Sequence, residues 1–247
     1  KGQLEVPRII DSIVKEVDKM RVRMSRVDGT ITRRDPSHTK HPIDNYRNRF
    51  EKKNSSASNM FLNAGVSDIK NLGLDDNMEK KFKDLHSYIL KTIEMYEGKI
   101  KAIGDDSDGD TEIAFGDTKP ENVIIDTLRE DLYFIDPSFV RGSRYFDYSK
   151  LISRLVMEGV KTSVAIHEVL RRTGDFNIKK DVYRGLSIAD LVNIDMVNIL
   201  SSYLGRALSG NNSYRMVQSL TQGEFLQNLQ SGLKPTNFTD IFGKLYK

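Results

Sequence analysis

Residues 115–136 constrain this chain more than any other stretch: Phe-Gly-Asp-Thr-Lys-Pro-Glu-Asn-Val-Ile-Ile-Asp, a short turn, then Leu-Tyr-Phe-Ile-Asp. Two apolar, β-branched and aromatic runs, Val123–Ile125 and Leu132–Ile135, flank a turn that includes Glu130 and Asp131, the pattern of an antiparallel hairpin. The loop before the first run carries Asp117, Lys119 and Asn122, and Asp136 follows the second. Two carboxylates, an amide and an ammonium at the ends of a hairpin make a poor core. They suit a divalent cation and a phosphate.

The remainder of the chain reads as helix. Ile9, Ile10, Ile13, Val14, Val17 and Met20 recur at helical spacing after Pro7, which belongs in a first turn. Arg21, Arg23, Arg26, Arg33 and Arg34 then surround a Val27-Asp28-Gly29-Thr30 turn signal, read as a solvated basic face. A helix is expected to start after Pro42 and run through Tyr46 and Phe50 into Glu51-Lys-Lys, broken by Asn54-Ser-Ser-Ala-Ser. After Gly73, Met78, Phe82, Leu85, Ile89, Ile93, Tyr96 and Ile100 step by fours and threes, predicting a long helix with one face in a core. Pro137 to Gly142 reads as loop, and Tyr145 opens a helix carrying Leu151, Ile152, Leu155 and Val156. Val164, Ile166, Val169 and Leu170 predict a short helix stopped by Gly174. Ser187 is the expected N-cap of a helix with Leu191, Ile194, Val197, Leu200, Leu204 and Leu208 on one stripe, ending near Gly210. A last helix is expected over about 213–230. The fold class is mainly α with a small β-hairpin (α+β).

Composition narrows the chemistry. The chain has no cysteine, which excludes disulfides, thiolate catalysis and cysteine-ligated zinc, and fits a reducing, cytoplasmic compartment. A net charge of +3 is too small to argue for a nucleic-acid partner, and the arginines of 21–34 support one on charge alone. No apolar run approaches the roughly 20 residues that span a bilayer, so no membrane role is expected. His38 and His41 have metal-pair spacing but no third ligand nearby. Asp106, Asp108 and Asp110 mimic the start of a calcium loop, yet Thr111 stands where its glycine belongs and Asp117 where its glutamate belongs; a solvated acidic turn is the simpler account.

Pairing of the two runs would converge Asn122 and Asp136, an amide oxygen and a carboxylate, on one hard cation such as Mg. Asp117, five residues before Asn122, can orient and deprotonate an acceptor hydroxyl, and Lys119 can reach a γ-phosphate as a point charge. No histidine lies in the segment, which disfavours Ser-His designs. The ordinary alternative is a surface hairpin with polar ends.

These residues carry a resemblance. Gly116-Asp117-Thr-Lys-Pro-Glu-Asn122 resembles the catalytic loop of the protein-kinase-like superfamily, its Gly-Asp like the aminoglycoside phosphotransferases and its Lys-Pro-Glu-Asn like the Ser/Thr protein kinases. Ile135-Asp136-Pro137 resembles the metal-binding block of bacterial small-molecule kinases, and Gly142-Ser-Arg-Tyr-Phe-Asp147-Tyr-Ser-Lys-Leu the stretch that follows it there. The resemblance covers about residues 113–155. It implies Asp117 as catalytic base, with Lys119 beside it at the nucleotide; Asn122 and Asp136 as Mg ligands at the ATP site; and Asp147 as structural support of the loop, with an N-cap of its own helix as the alternative. Phe115 stands where that family usually has histidine, and is expected to be apolar scaffold.

The resemblance further implies a kinase-like helical C-lobe over 1–247: hinge-like residues and helices to 112, the catalytic and metal-binding segment over 113–155, and C-terminal helices from 156. An N-terminal nucleotide lobe is not evident. No two glycines stand two apart, so no Gly-x-Gly phosphate loop is present in these residues. Lys1-Gly-Gln-Leu resembles the hinge that follows such a lobe, and a chain opening on Lys rather than Met suggests a longer parent. The expected function is ATP- and Mg-dependent phosphoryl transfer to a small-molecule hydroxyl (a sugar, amino alcohol or aminoglycoside-like acceptor), slow in this chain alone. The alternative is a pseudokinase-like binding or regulatory scaffold.

Overall fold

The structure, a computed structural model, describes residues 5–26, 42–50, 69–71, 73–103, 112–126, 131–135, 138–157 and 160–208. Among them the chain is mainly helical, with three two-stranded antiparallel sheets. It divides into two compact units: Lys1–Pro42 with Gly104–Val192, and Ile43–Ile103 with Asn193–Lys247.

The first unit opens on helix α1, Glu5–Arg26, which buries Ile10, Ile13, Val14 and Val17. The helix runs past the point where the arginines begin, so Arg21, Arg23 and Arg26 lie within it. Arg21 is also no solvated charge: its Nε donates to the Ile113 carbonyl at 2.9 Å and its guanidinium pairs with Asp18 at 2.7 Å. Asp18 in turn accepts the Tyr148 hydroxyl at 2.8 Å. Arg21 thereby ties α1 to the strand before the polar loop, and Asp18 ties it to the helix behind that loop.

Strand β1, Ile113–Ala114, pairs with β4, Val140–Arg141, a pairing that replaces the loop expected between Pro137 and Gly142. Two residues each give no periodicity to read. Between them lies the hairpin of β2, Val123–Asp126, and β3, Asp131–Phe134, in the register Val123 to Phe134 and Ile124 to Tyr133. Strand β2 begins at Val123 as expected and ends one residue later, while β3 begins and ends one residue earlier than expected: Asp131 pairs with Asp126 instead of belonging to the turn, and Ile135 follows the ladder. Ile124, Tyr133 and Ile135 are about half exposed.

Helix α4, Tyr145–Met157, packs on helix α5, Thr162–Leu170. Val164 faces outward rather than joining Ala165, Ile166, Val169 and Leu170 in the core. A 3-10 turn, Arg171–Thr173, ends at Gly174, whose φ of 65° is the left-handed cap expected of it. Strands β5, Asp181–Tyr183, and β6, Leu186–Ser187, form a hairpin the apolar pattern does not announce. Its loop residues Arg184 and Gly185 have φ of 45° and 87°, as a type I′ turn requires. Ser187 then caps helix α6, Ile188–Leu208: Asp190 N donates to the Ser187 hydroxyl at 3.1 Å, and Ser187 N to the Asp190 carboxylate at 2.9 Å. This reciprocal pair is a capping box with Asp in the usual Glu position.

The second unit contains most of helix α2, Pro42–Phe50, helix α3, Asp76–Ala102, and α6 from Asn193 onward. Asp75 caps α3 by accepting from Met78 N at 2.9 Å, and all seven residues of the expected stripe are buried. Tyr46 donates to Asp195 at 2.7 Å and Asn193 to the Tyr96 hydroxyl at 3.0 Å, so the unit buries polar groups in pairs. His38, His41, Arg33, Arg34, the 105–110 acidic turn and the expected 213–230 helix lie outside the described residues.

Candidate functional site

The polar loop is built on a glycine. Gly116 has a φ of 84°, and a Cβ there would sit 2.2 Å from the Ser138 carbonyl oxygen. Only glycine meets both conditions. Before it, Phe115 is fully buried, its ring 5.2 Å from that of Phe134 and 5.3 Å, edge-on, from that of Phe139. The Phe115 side chain is thus aromatic packing behind the loop.

Asp147 holds the loop's shape. One of its carboxylate oxygens accepts from Phe115 N at 2.7 Å, and the other from Gly116 N and the Thr118 hydroxyl, each at 2.8 Å. Helix α4 starts at Tyr145, so Asp147 lies inside its first turn and is not its N-cap; the carboxylate serves the loop. Burial pushes the Asp147 carboxyl up, while the three donors and the nearby Arg21 guanidinium oppose that push.

Asp117 projects from the shaped loop, about a quarter exposed. The Lys150 ammonium lies 2.6 Å from its Oδ1 and the Lys119 ammonium 2.7 Å from its Oδ2. Asn122 Nδ2 donates to the same Oδ2 at 3.0 Å and to the Asp117 carbonyl at 3.1 Å. Burial pushes the Asp117 carboxyl up, but the two ammoniums outweigh it and hold it down at about 2. At neutral pH it is a carboxylate.

A 3-10 turn, Pro120–Asn122, feeds the loop into β2 and leaves Asn122 buried. With its Nδ2 committed to Asp117, the amide turns its Oδ1 away from that carboxylate. The Asn122 carbonyl accepts from Ile135 N at 2.9 Å, extending the ladder by one pair and bringing the backbone that enters Asp136 alongside Asn122. Asp136 itself lies outside the described residues, which contain no cluster of three or more His, Cys, Asp or Glu placed to hold a metal. The donor types nevertheless fit Mg: that ion keeps several waters and takes one or two protein oxygens plus substrate phosphates. Asn122 Oδ1 and Asp136 are the residues that would hold it.

Four of the five expected residues therefore come together, Asp117, Lys119 and Asn122 on one loop and Asp147 bonded to that loop from helix α4. Lys150 was not anticipated. Its position three residues after Asp147 puts it on the same face of α4, and that spacing was the available signal.

No known family model matches the chain, and no curated protein or solved structure shows a significant similarity to it. Among the described residues no helix is long and apolar enough to cross a membrane.

Proposed function

We propose that the chain carries the catalytic lobe of an ATP- and Mg-dependent phosphotransferase whose acceptor is a hydroxyl of a small molecule, of the sugar, amino alcohol or aminoglycoside type. One observation carries the proposal. Asp117 is an ionised carboxylate between two ammoniums and an amide, on a loop that Asp147 fixes from behind. The acceptor hydroxyl donates to Asp117, and its oxygen attacks the γ-phosphorus as the bond to the bridging oxygen breaks and ADP departs. The hydroxyl proton passes to Asp117. A carboxylate held at about 2 is a weak base, so it orients the hydroxyl first and takes the proton late, as suits a loose transition state. Lys119 offsets charge at the phosphate. Bound Mg would supply further charge neutralisation there.

ADP release with a panel of small hydroxyl acceptors, for the chain and for Asp117→Asn, tests this. A loss of about 10²-fold or more in the variant is expected. Equal rates in both would refute Asp117 as the base, and no acceptor-dependent ADP release by the chain or by a longer form of it would refute transfer.

The second reading, a pseudokinase-like scaffold, draws on the same geometry: both oxygens of Asp117 are already engaged by cations. Calorimetry with Mg and ATP separates the two. Metal-assisted nucleotide binding abolished by Asp136→Ala favours the kinase, and no binding by the chain or a longer form favours the scaffold.

A further inference from the structure

We infer that Lys150 is a positioning residue, the fixed half of a two-ammonium clamp on Asp117 whose movable half, Lys119, transfers to the nucleotide phosphate. This deepens the phosphotransferase reading and rests on it.

The two lysines hold Asp117 unequally. Lys150 Nζ has two acceptors, Asp117 Oδ1 at 2.6 Å and the Gly116 carbonyl at 3.0 Å. It rises from α4 between buried Ser149 and Leu151, on the same helix whose Asp147 shapes the loop. Lys119 sits on the loop itself and reaches Oδ2 alone, at 2.7 Å. Oδ2 also receives Asn122 Nδ2, so it keeps a donor when Lys119 leaves. Oδ1 has no donor besides Lys150 among the described residues, and the Gly116 carbonyl would lose a partner with it.

Arrival of a phosphate changes the balance at one lysine only. A polyphosphate brings more negative charge than a carboxylate, and an ammonium on a flexible stem follows it. Departure of Lys119 opens the Oδ2 side of Asp117 to the acceptor hydroxyl. Lys150 keeps the carboxylate aimed meanwhile, with the loop backbone as its second anchor.

The test compares Lys150→Met, Lys150→Arg and Lys119→Met in steady-state phosphoryl transfer, with the Nζ resonances of the lysines read by NMR in the unchanged chain and in Asp117→Asn. Lys150→Met is expected to lower kcat by about 10²-fold, because the base is misaimed. Its KM for ATP stays within about threefold, since ground-state nucleotide binding is not touched. Lys119→Met raises KM for ATP about tenfold, and Lys150→Arg restores part of the kcat, which a purely structural role would not produce. The Lys150 Nζ signal, hydrogen-bonded and slow to exchange, shifts in Asp117→Asn. Unchanged kcat in Lys150→Met, a loss confined to KM for ATP, or a Lys150 signal indifferent to Asp117→Asn would each overturn the clamp. Should Lys150→Met fail to fold, the arginine variant and the NMR comparison still decide. Absence of transfer by both the unchanged chain and a longer form of it sinks the phosphotransferase reading instead, and the NMR arm judges the clamp independently.

Discussion

Helices α3 and α4 are buried by opposite logics. Helix α3 buries Met78, Phe82, Leu85, Ile89, Ile93, Tyr96 and Ile100 along one side and fills the other with Lys and Glu. Helix α4 buries nine of its thirteen residues, Asp147, Ser149 and Ser153 among them. Its polar groups are satisfied one by one: Asp147 by the loop, Ser149 by the Phe146 carbonyl at 3.1 Å, Ser153 by the Ser149 carbonyl at 2.8 Å. The first helix needs only a hydrophobic stripe, which many sequences supply. The second needs particular partners, which ties it to one loop conformation.

Substitutions at matched depth should separate these logics. Asp147→Ala leaves two backbone N–H groups and the Thr118 hydroxyl without their acceptor, and is expected to cost about 3–5 kcal/mol in urea unfolding. It should also abolish any activity that depends on Asp117. Ile89→Ala, at a fully buried position of α3, is expected to cost about 3 kcal/mol of stability by cavity formation. Equal damage to the Asp117 environment by both, seen in the Lys150 resonance, would erase the contrast.

A smaller effect lies in acid. The folded carboxyl of Asp117 is held below its unfolded value, so its stabilisation is complete above the unfolded pKa and disappears as pH falls through about 2. Allowing for its partial exposure, the contribution is about 1–2 kcal/mol, to be read as the loss of unfolding free energy from pH 5 toward pH 2 that Asp117→Asn lacks. Smallest of all, Met95→Lys on the exposed face of α3 should shift stability by less than about 0.5 kcal/mol.

The same contrast explains what was legible from the residues alone. Helix α3 was legible in full, because its period and its Gly73 boundary are local facts. The β2–β3 hairpin was legible to within a residue at each end, for the same reason. The β1–β4 pair was not, since two-residue strands 25 residues apart are joined by tertiary packing and leave no pattern. Nor was the β5–β6 hairpin, whose turn is Arg-Gly instead of the Asn-Gly or Asp-Gly that usually signals it. At the site, chain order placed Asp117, Lys119 and Asn122 within one loop, while Lys150 and the bidentate grip of Asp147 depend on how α4 docks beneath that loop.

The β2–β3 hairpin has one further consequence, for handling. Among the described residues it is only two strands wide, so both its outer edges carry backbone groups with no neighbouring strand there, and Ile124, Tyr133 and Ile135 line one of its faces half exposed. Open edges beside an apolar face are where chains add to one another. Concentrated solutions should therefore self-associate through the hairpin that follows the Asp117 loop, and Tyr133→Lys is the change that would keep them dispersed.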